Sequence, residues 1–234
     1  MPSYVIHLSC AQCACELLAP MDDAQRNLFF LGNMIADMSA DKHYTHFWND
    51  ETYPMLVRRP DLNWFLKKYG DALHEPYVLG YYAHLLLDYQ FLDVYWEKHF
   101  RFYGANREPN ILYDEVKYVE VLEQQRLYDR YDFFSKKWYY GDYDRMNAYF
   151  ARKYKVQFPG LEFGDAEWKQ VHRITEIDWS YAPEAMNRTK NLLDVSVAAA
   201  EKNHMDTKPQ LQVFDLEELD TLMKETAKKV AEVR

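Results

Sequence analysis

The chain has 234 residues, enough for one core without disulfide staples, and its 48% hydrophobic and 28% charged residues are those of a folded protein. Only 7 Gly and 9 Pro argue against a turn-dense all-β fold, because such folds need frequent turn residues. Lys+Arg 28 against Asp+Glu 37 gives a net charge of -9, which repels a phosphate backbone and argues against stable nucleic-acid binding. No apolar run reaches the ~18–20 residues of a membrane span. Residues 1–8 have no basic region ahead of an apolar one, so no secretory signal is expected. Cys10, Cys13 and Cys15 are odd in number and clustered, unlike a disulfide framework, and point to a reducing cytoplasm.

Helical periodicity dominates, and no segment has a convincing strand period. In chain order, helices are expected over 9–19 and 21–31, the second opened by Asp22 and Asp23. Residues 37–58 read as loop with a short helix. A helix runs from Pro60-Asp61 to Tyr69 and stops at Gly70. The strongest runs from Pro76 to about Tyr103 and stops at Gly104. Further helices are expected over 112–140, 142–155, 166–177, 183–203 and 215–233, with a linker over 202–212. The expected architecture is all-α: a helical metal-binding domain over 1–205 and a C-terminal helix, docked on it, in 206–234.

In the helix from Pro76, His84 and Asp88 are four residues apart and share a face. A neutral imidazole and a carboxylate so placed can share one metal ion. By itself the pair reads more readily as a buried hydrogen bond. Gly80 lies one turn earlier. A mid-helix glycine costs about 1 kcal/mol relative to alanine, so close approach of a backbone or a ligand should offset it. Asp37 follows an apolar run, where a carboxylate needs a partner. His43 and His46 follow it at i and i+3, and His7 lies in the apolar Tyr4-Val5-Ile6-His7-Leu8. Together, His7, Asp37, His46, His84 and Asp88 offer three imidazoles and two carboxylates, a set suited to Zn²⁺ or a similar divalent ion.

These segments, "YVIHL" at 4–8, "LGNMIADMSADKHYTHFW" at 31–48 and "GYYAHLLLDYQF" at 80–91, resemble the zinc-dependent phospholipase C and single-strand nuclease superfamily, in particular its compact bacterial members. The resemblance covers about the first 100 residues. It implies a helical fold with a metal cluster between helices. Asp37, His46, His84 and Asp88 would hold one zinc. His7, with Asp88 as bridge and the free amino terminus, would hold a second. Secreted members begin, after processing, with a tryptophan that binds metal, whereas this chain begins Met-Pro. A third zinc would need a histidine soon after Asp88. His99 lies 11 residues on, and His172 and Glu176 form an H-x3-E pair of the kind that closes that site in the family. His43 is a reserve ligand.

The implied activity is hydrolysis of a phosphodiester or phosphomonoester, phospholipids included, by metal-activated water. Asp37 or Asp41 would orient that water. No G-x-S-x-G and no Gly-rich phosphate loop offers another chemistry. Tyr44, Phe47, Trp48, Tyr81 and Tyr82 flank candidate ligands and could wall a substrate pocket, although aromatics this numerous are mainly core. Trp138-Tyr139-Tyr140 reads the same way. Cys10-Ala11-Gln12-Cys13 lacks a partner pair for structural zinc and reads as buried thiols. The alternative is a non-catalytic helical protein with a structural metal, acting through a partner or regulatory ligand. An HD-type phosphohydrolase would need an adjacent His-Asp, which none of the eight histidines provides.

Overall fold

The computed structural model describes residues 2–202 and 208–233. Helix α1 (Tyr4–Leu17) starts five residues before its expected start, because Ser3 caps it by accepting from the Ile6 N–H. This puts His7 on the helix. Helix α2 (Asp23–Ile35) opens with a reciprocal Asp22/Gln25 capping box. A single turn, α3 (Lys42–Thr45), and α4 (Leu62–Tyr69) follow. After a 3₁₀ turn, Pro76 opens α5 (Pro76–Gln90) at a position where its missing N–H costs nothing. The helix loosens into a π turn (Phe91–Trp96) and ends with α6 (Glu97–His99).

Helices α2 and α5 cross in close contact through two glycines. A Cβ on Gly80 would lie 2.0 Å from the Phe29 carbonyl oxygen, and one on Gly32 would lie 2.0 Å from that of Tyr77. The mid-helix glycine is therefore explained by a neighbouring backbone. Around the crossing, Phe29, Phe30, Phe65, Tyr77, Tyr81 and Phe91 are fully buried. Each contributes about 1.5–3 kcal/mol, and together they hold the polar groups near them in a dry interior.

The described residues are mostly helical, as expected, but the chain is not all-α: it also carries a small three-stranded sheet. Chain 100–129 forms an antiparallel meander of β1 (Phe100–Tyr103), β2 (Tyr118–Val121) and β3 (Arg126–Asp129), with Phe100 opposite Val121 and Tyr118 opposite Asp129. The helix expected over 112–140 does not form there beyond the single turn α7 (Arg130–Phe133). The helix from Pro76 also stops short of Tyr103. Gly104 sits in the loop after β1, where its N–H donates to the Glu108 carbonyl.

Then come α8 (Tyr139–Lys153), α9 (Asp165–Val171), α10 (Ala182–Lys202) and α11 (Leu216–Glu232). The division at 205/206 and most of the expected linker lie outside the described residues. Helix α11 packs on α1 and α5. Buried Asp142 fixes its approach, accepting from the backbone N–H groups of Gln212, Val213 and Phe214. No helix among the described residues is long and apolar enough to cross a membrane.

Candidate metal centre

Four elements meet at one buried cluster. His7 comes from α1, Asp37 from the turn after α2, His46 from the end of α3, and His84 and Asp88 from α5. His7, His46, His84 and Asp88 are at most 1% exposed, while the Asp37 side chain is 13% exposed. His46 Nε2 lies 3.2 Å from His84 Nε2, 3.4 Å from Asp37 Oδ1 and 3.5 Å from Asp88 Oδ2. His84 Nε2 lies 3.7 Å from Asp88 Oδ2. Donors bound tetrahedrally at the usual zinc distances lie about 3.3 Å apart, so His46, His84 and Asp88 could hold one ion, and His7, Asp37 and His84 form a second group of the same kind.

The proton positions point the same way. His84 Nδ1 lies 2.8 Å from the Asn33 carbonyl, which only accepts, so Nδ1 carries the proton and Nε2 keeps its lone pair. Burial and the neighbouring His7 ring push the His84 pKa down to about 3, so the ring is neutral. At His46, Nδ1 lies 3.1 Å from Thr45 Oγ1, which donates onward to the Lys42 carbonyl. That arrangement again leaves the Nε2 lone pair facing the cluster. Imidazole lone pairs and carboxylates thus lie close together, an arrangement that a bound cation would stabilise.

Burial alone would raise the Asp88 pKa, but His7, His84 and His46 outweigh it and bring it to about 2. Burial likewise works against ionised Asp37, and is outweighed by the adjacent Lys42 ammonium and by His46, which hold it well below the usual carboxylate range. Neither Asp88 oxygen has a hydrogen-bond partner, nor does either ring nitrogen of His7. Buried polar atoms are nearly always satisfied, so unpartnered ones grouped in one place are where a bound ion could sit. His7 Nε2 lies 3.4 Å from Asp88 Oδ1, and its ring stacks on His84 at 3.8 Å. This pair is two of the three groups expected for a second ion. Met1, whose amine was expected to complete it, lies outside the described residues.

The other candidates are engaged elsewhere. Asp41 is exposed and caps α3, accepting from the His43 N–H. His43 stacks between Tyr44 and Tyr53. His99 bonds Glu218 at 2.8 Å and anchors α11. His172 and Glu176 follow the end of α9 and do not share a helix face. His172 is exposed against Trp168 and Trp179, and Glu176 accepts from Lys68 and, at 2.6 Å, from Tyr69. Neither joins a metal-capable group among the described residues. Burial pushes the three thiols up, and Cys10 Sγ donates to the Met223 carbonyl on α11.

A cleft of about 450 Å³ opens onto Asp37 and Lys42. Its aromatic wall includes Trp96, Tyr113, Tyr131, Tyr139, Tyr140 and Tyr143. Of the aromatics that flank the ligands in sequence, Phe47, Trp48, Tyr81 and Tyr82 are buried and Tyr44 is exposed, and none lines the cleft. Asn33, Lys42 and Thr45 are site residues that pattern reading passed over. Lys42 and Thr45 lie within four residues of His46, which was the available signal. Comparison with protein-family models, curated proteins and solved structures returns no match to this chain.

Proposed function

We propose that the chain is a zinc-dependent hydrolase of phosphoester bonds, acting in the cytoplasm on a phosphodiester, lipid headgroup or other phosphoester. The observation that carries this reading is the convergence of His46 Nε2, His84 Nε2, Asp37 Oδ1 and Asp88 Oδ2, with contacts of 3.2–3.7 Å, beside an open cleft. His46, His84, Asp37 and Asp88 would hold one ion, and His7 with Asp88 would contribute to a second. Zinc bound there supplies Lewis acidity, making water reactive near neutral pH and offsetting charge on the phosphoryl oxygens.

The chain's own groups do the rest. The Asn33 carbonyl and Thr45 hydroxyl fix the rings of His84 and His46. Lys42, lining the cleft beside Asp37, offers an ammonium to an incoming phosphoryl oxygen. Asp37 Oδ1 is shared between Lys42 and His46, which leaves Oδ2 to orient water by accepting a hydrogen bond from it. Asp41 is not needed for this, since its carboxylate caps α3.

The test is hydrolysis of bis(4-nitrophenyl) phosphate and 4-nitrophenyl phosphate by zinc-loaded protein. Turnover that disappears in Asp88→Ala and His84→Ala, and on chelation, is expected. Stoichiometric metal with no turnover on any phosphoester would favour the non-catalytic alternative.

A further inference from the structure

The cleft contains a cation that the metal site does not use. Arg130 is 9% exposed and lines the same cavity as Asp37 and Lys42. Its Nη1 donates to the backbone carbonyls of Tyr113 and Val116. Its guanidinium lies 4.2 Å from the centre of the Tyr113 ring and 5.9 Å from that of Tyr131. Among the described residues no carboxylate pairs with it, and its Nε and Nη2 have no protein acceptor. A buried guanidinium normally has an anionic partner. Here the neighbours are carbonyl dipoles and aromatic faces, which hold the cation in place without neutralising it. The planar fork leaves donors free for a planar or tetrahedral anion.

We infer that Arg130 is a specificity-determining residue that binds a second anionic group of the substrate. The substrate class is then a small soluble phosphoester carrying a carboxylate or further phosphate besides its scissile phosphoryl group. This deepens the phosphoesterase reading and rests on it. The cavity of about 450 Å³, lined by Asp37, Lys42 and Arg130 together, has room for one small molecule. Tyr113, Tyr131 and Tyr140 give that molecule flat apolar walls. A guanidinium at this position selects against a cationic headgroup and for an anionic one.

The test uses a matched pair of probes, phenyl phosphate and 4-carboxyphenyl phosphate, which differ only in the second anion. Their Kd values are measured on zinc-loaded wild type, Arg130→Gln and Arg130→Lys, with circular dichroism as a check of folding. Wild type should bind the carboxylated probe about tenfold or more tightly, as expected for a charge-assisted bond. Arg130→Gln should reduce that preference to near unity, and Arg130→Lys should keep part of it. No preference in wild type would overturn the inference even if the glutamine variant fails to fold. So would a preference that survives in Arg130→Gln. Benzoate, which lacks the phosphoryl group, separates the two readings. If benzoate binds wild type and not Arg130→Gln while neither phosphate probe is hydrolysed, the anion site stands and the phosphoesterase reading fails.

Discussion

Among the described residues two carboxylates are fully buried, Asp88 in α5 and Asp142 in α8, and the protein treats them in opposite ways. Asp142 accepts from three backbone N–H groups at 2.8–3.2 Å and pairs with Arg145 at 2.6 Å. Its lone pairs are used within the fold, where they tie the segment before α11 to α8. Asp88 has no hydrogen-bond partner, and its nearest neighbours are three imidazole nitrogens at 3.4–3.7 Å. The difference separates a carboxylate satisfied within the fold from one that could still take a ligand: the first has its lone pairs filled by donors, the second has none bonded to it.

Acid should break the Asp88 side of this comparison most strongly. His84 titrates near 6.5 when unfolded and near 3 when folded, so the unfolded chain binds its proton first as pH falls. Stability of the metal-free protein is therefore full above about pH 6.5 and declines toward pH 3, by roughly 5 kcal/mol at about 1.4 kcal/mol per pH unit. Urea melts of wild type and His84→Gln across that range check this, and the variant should lose the slope above about pH 4, below which Asp88 and Asp37 add their own.

Asp142→Ala should cost about 3–5 kcal/mol, because it removes the anion beside Arg145 and strands the buried N–H groups of Val213 and Phe214. The loss should be the same with and without zinc, which denaturation in each condition reads directly. Gly80→Ala should cost about 1–3 kcal/mol or more by forcing α2 and α5 apart. Because Asn33 on α2 orients His84 on α5, the variant should also weaken metal binding, which separates it from Asp142→Ala. Thr45→Val is the finest probe. It leaves all the metal donors in place and removes the acceptor for His46 Nδ1, so metal affinity should fall about 10–100-fold with little change in the metal-free melt.

That these His and Asp residues come together was legible because they lie in patterned helices and turns, where spacing and apolar context isolate His84, Asp88 and Asp37. Gly80 was legible as an unfavourable helix residue that needed a reason, and the Phe29 backbone supplies it. The meander was not legible. Its strands have four residues each, too few for a period of two to stand out from a helical one. The β2–β3 turn places Gln125 at φ 50°, where glycine or asparagine would have signalled a hairpin. Arg130 was missed because nothing in the sequence shows that its guanidinium lacks a carboxylate. His172 and Glu176 kept the right spacing but lost their shared face, because α9 ends at Val171.

The most direct measurement is metal content by mass spectrometry on protein purified without chelator or affinity histidines. Wild type would be compared with Asp88→Ala and Cys13→Ala. This account predicts two zinc ions in wild type, their loss in Asp88→Ala, and full retention in Cys13→Ala. Metal-free wild type, or metal lost only with Cys13→Ala, would contradict it.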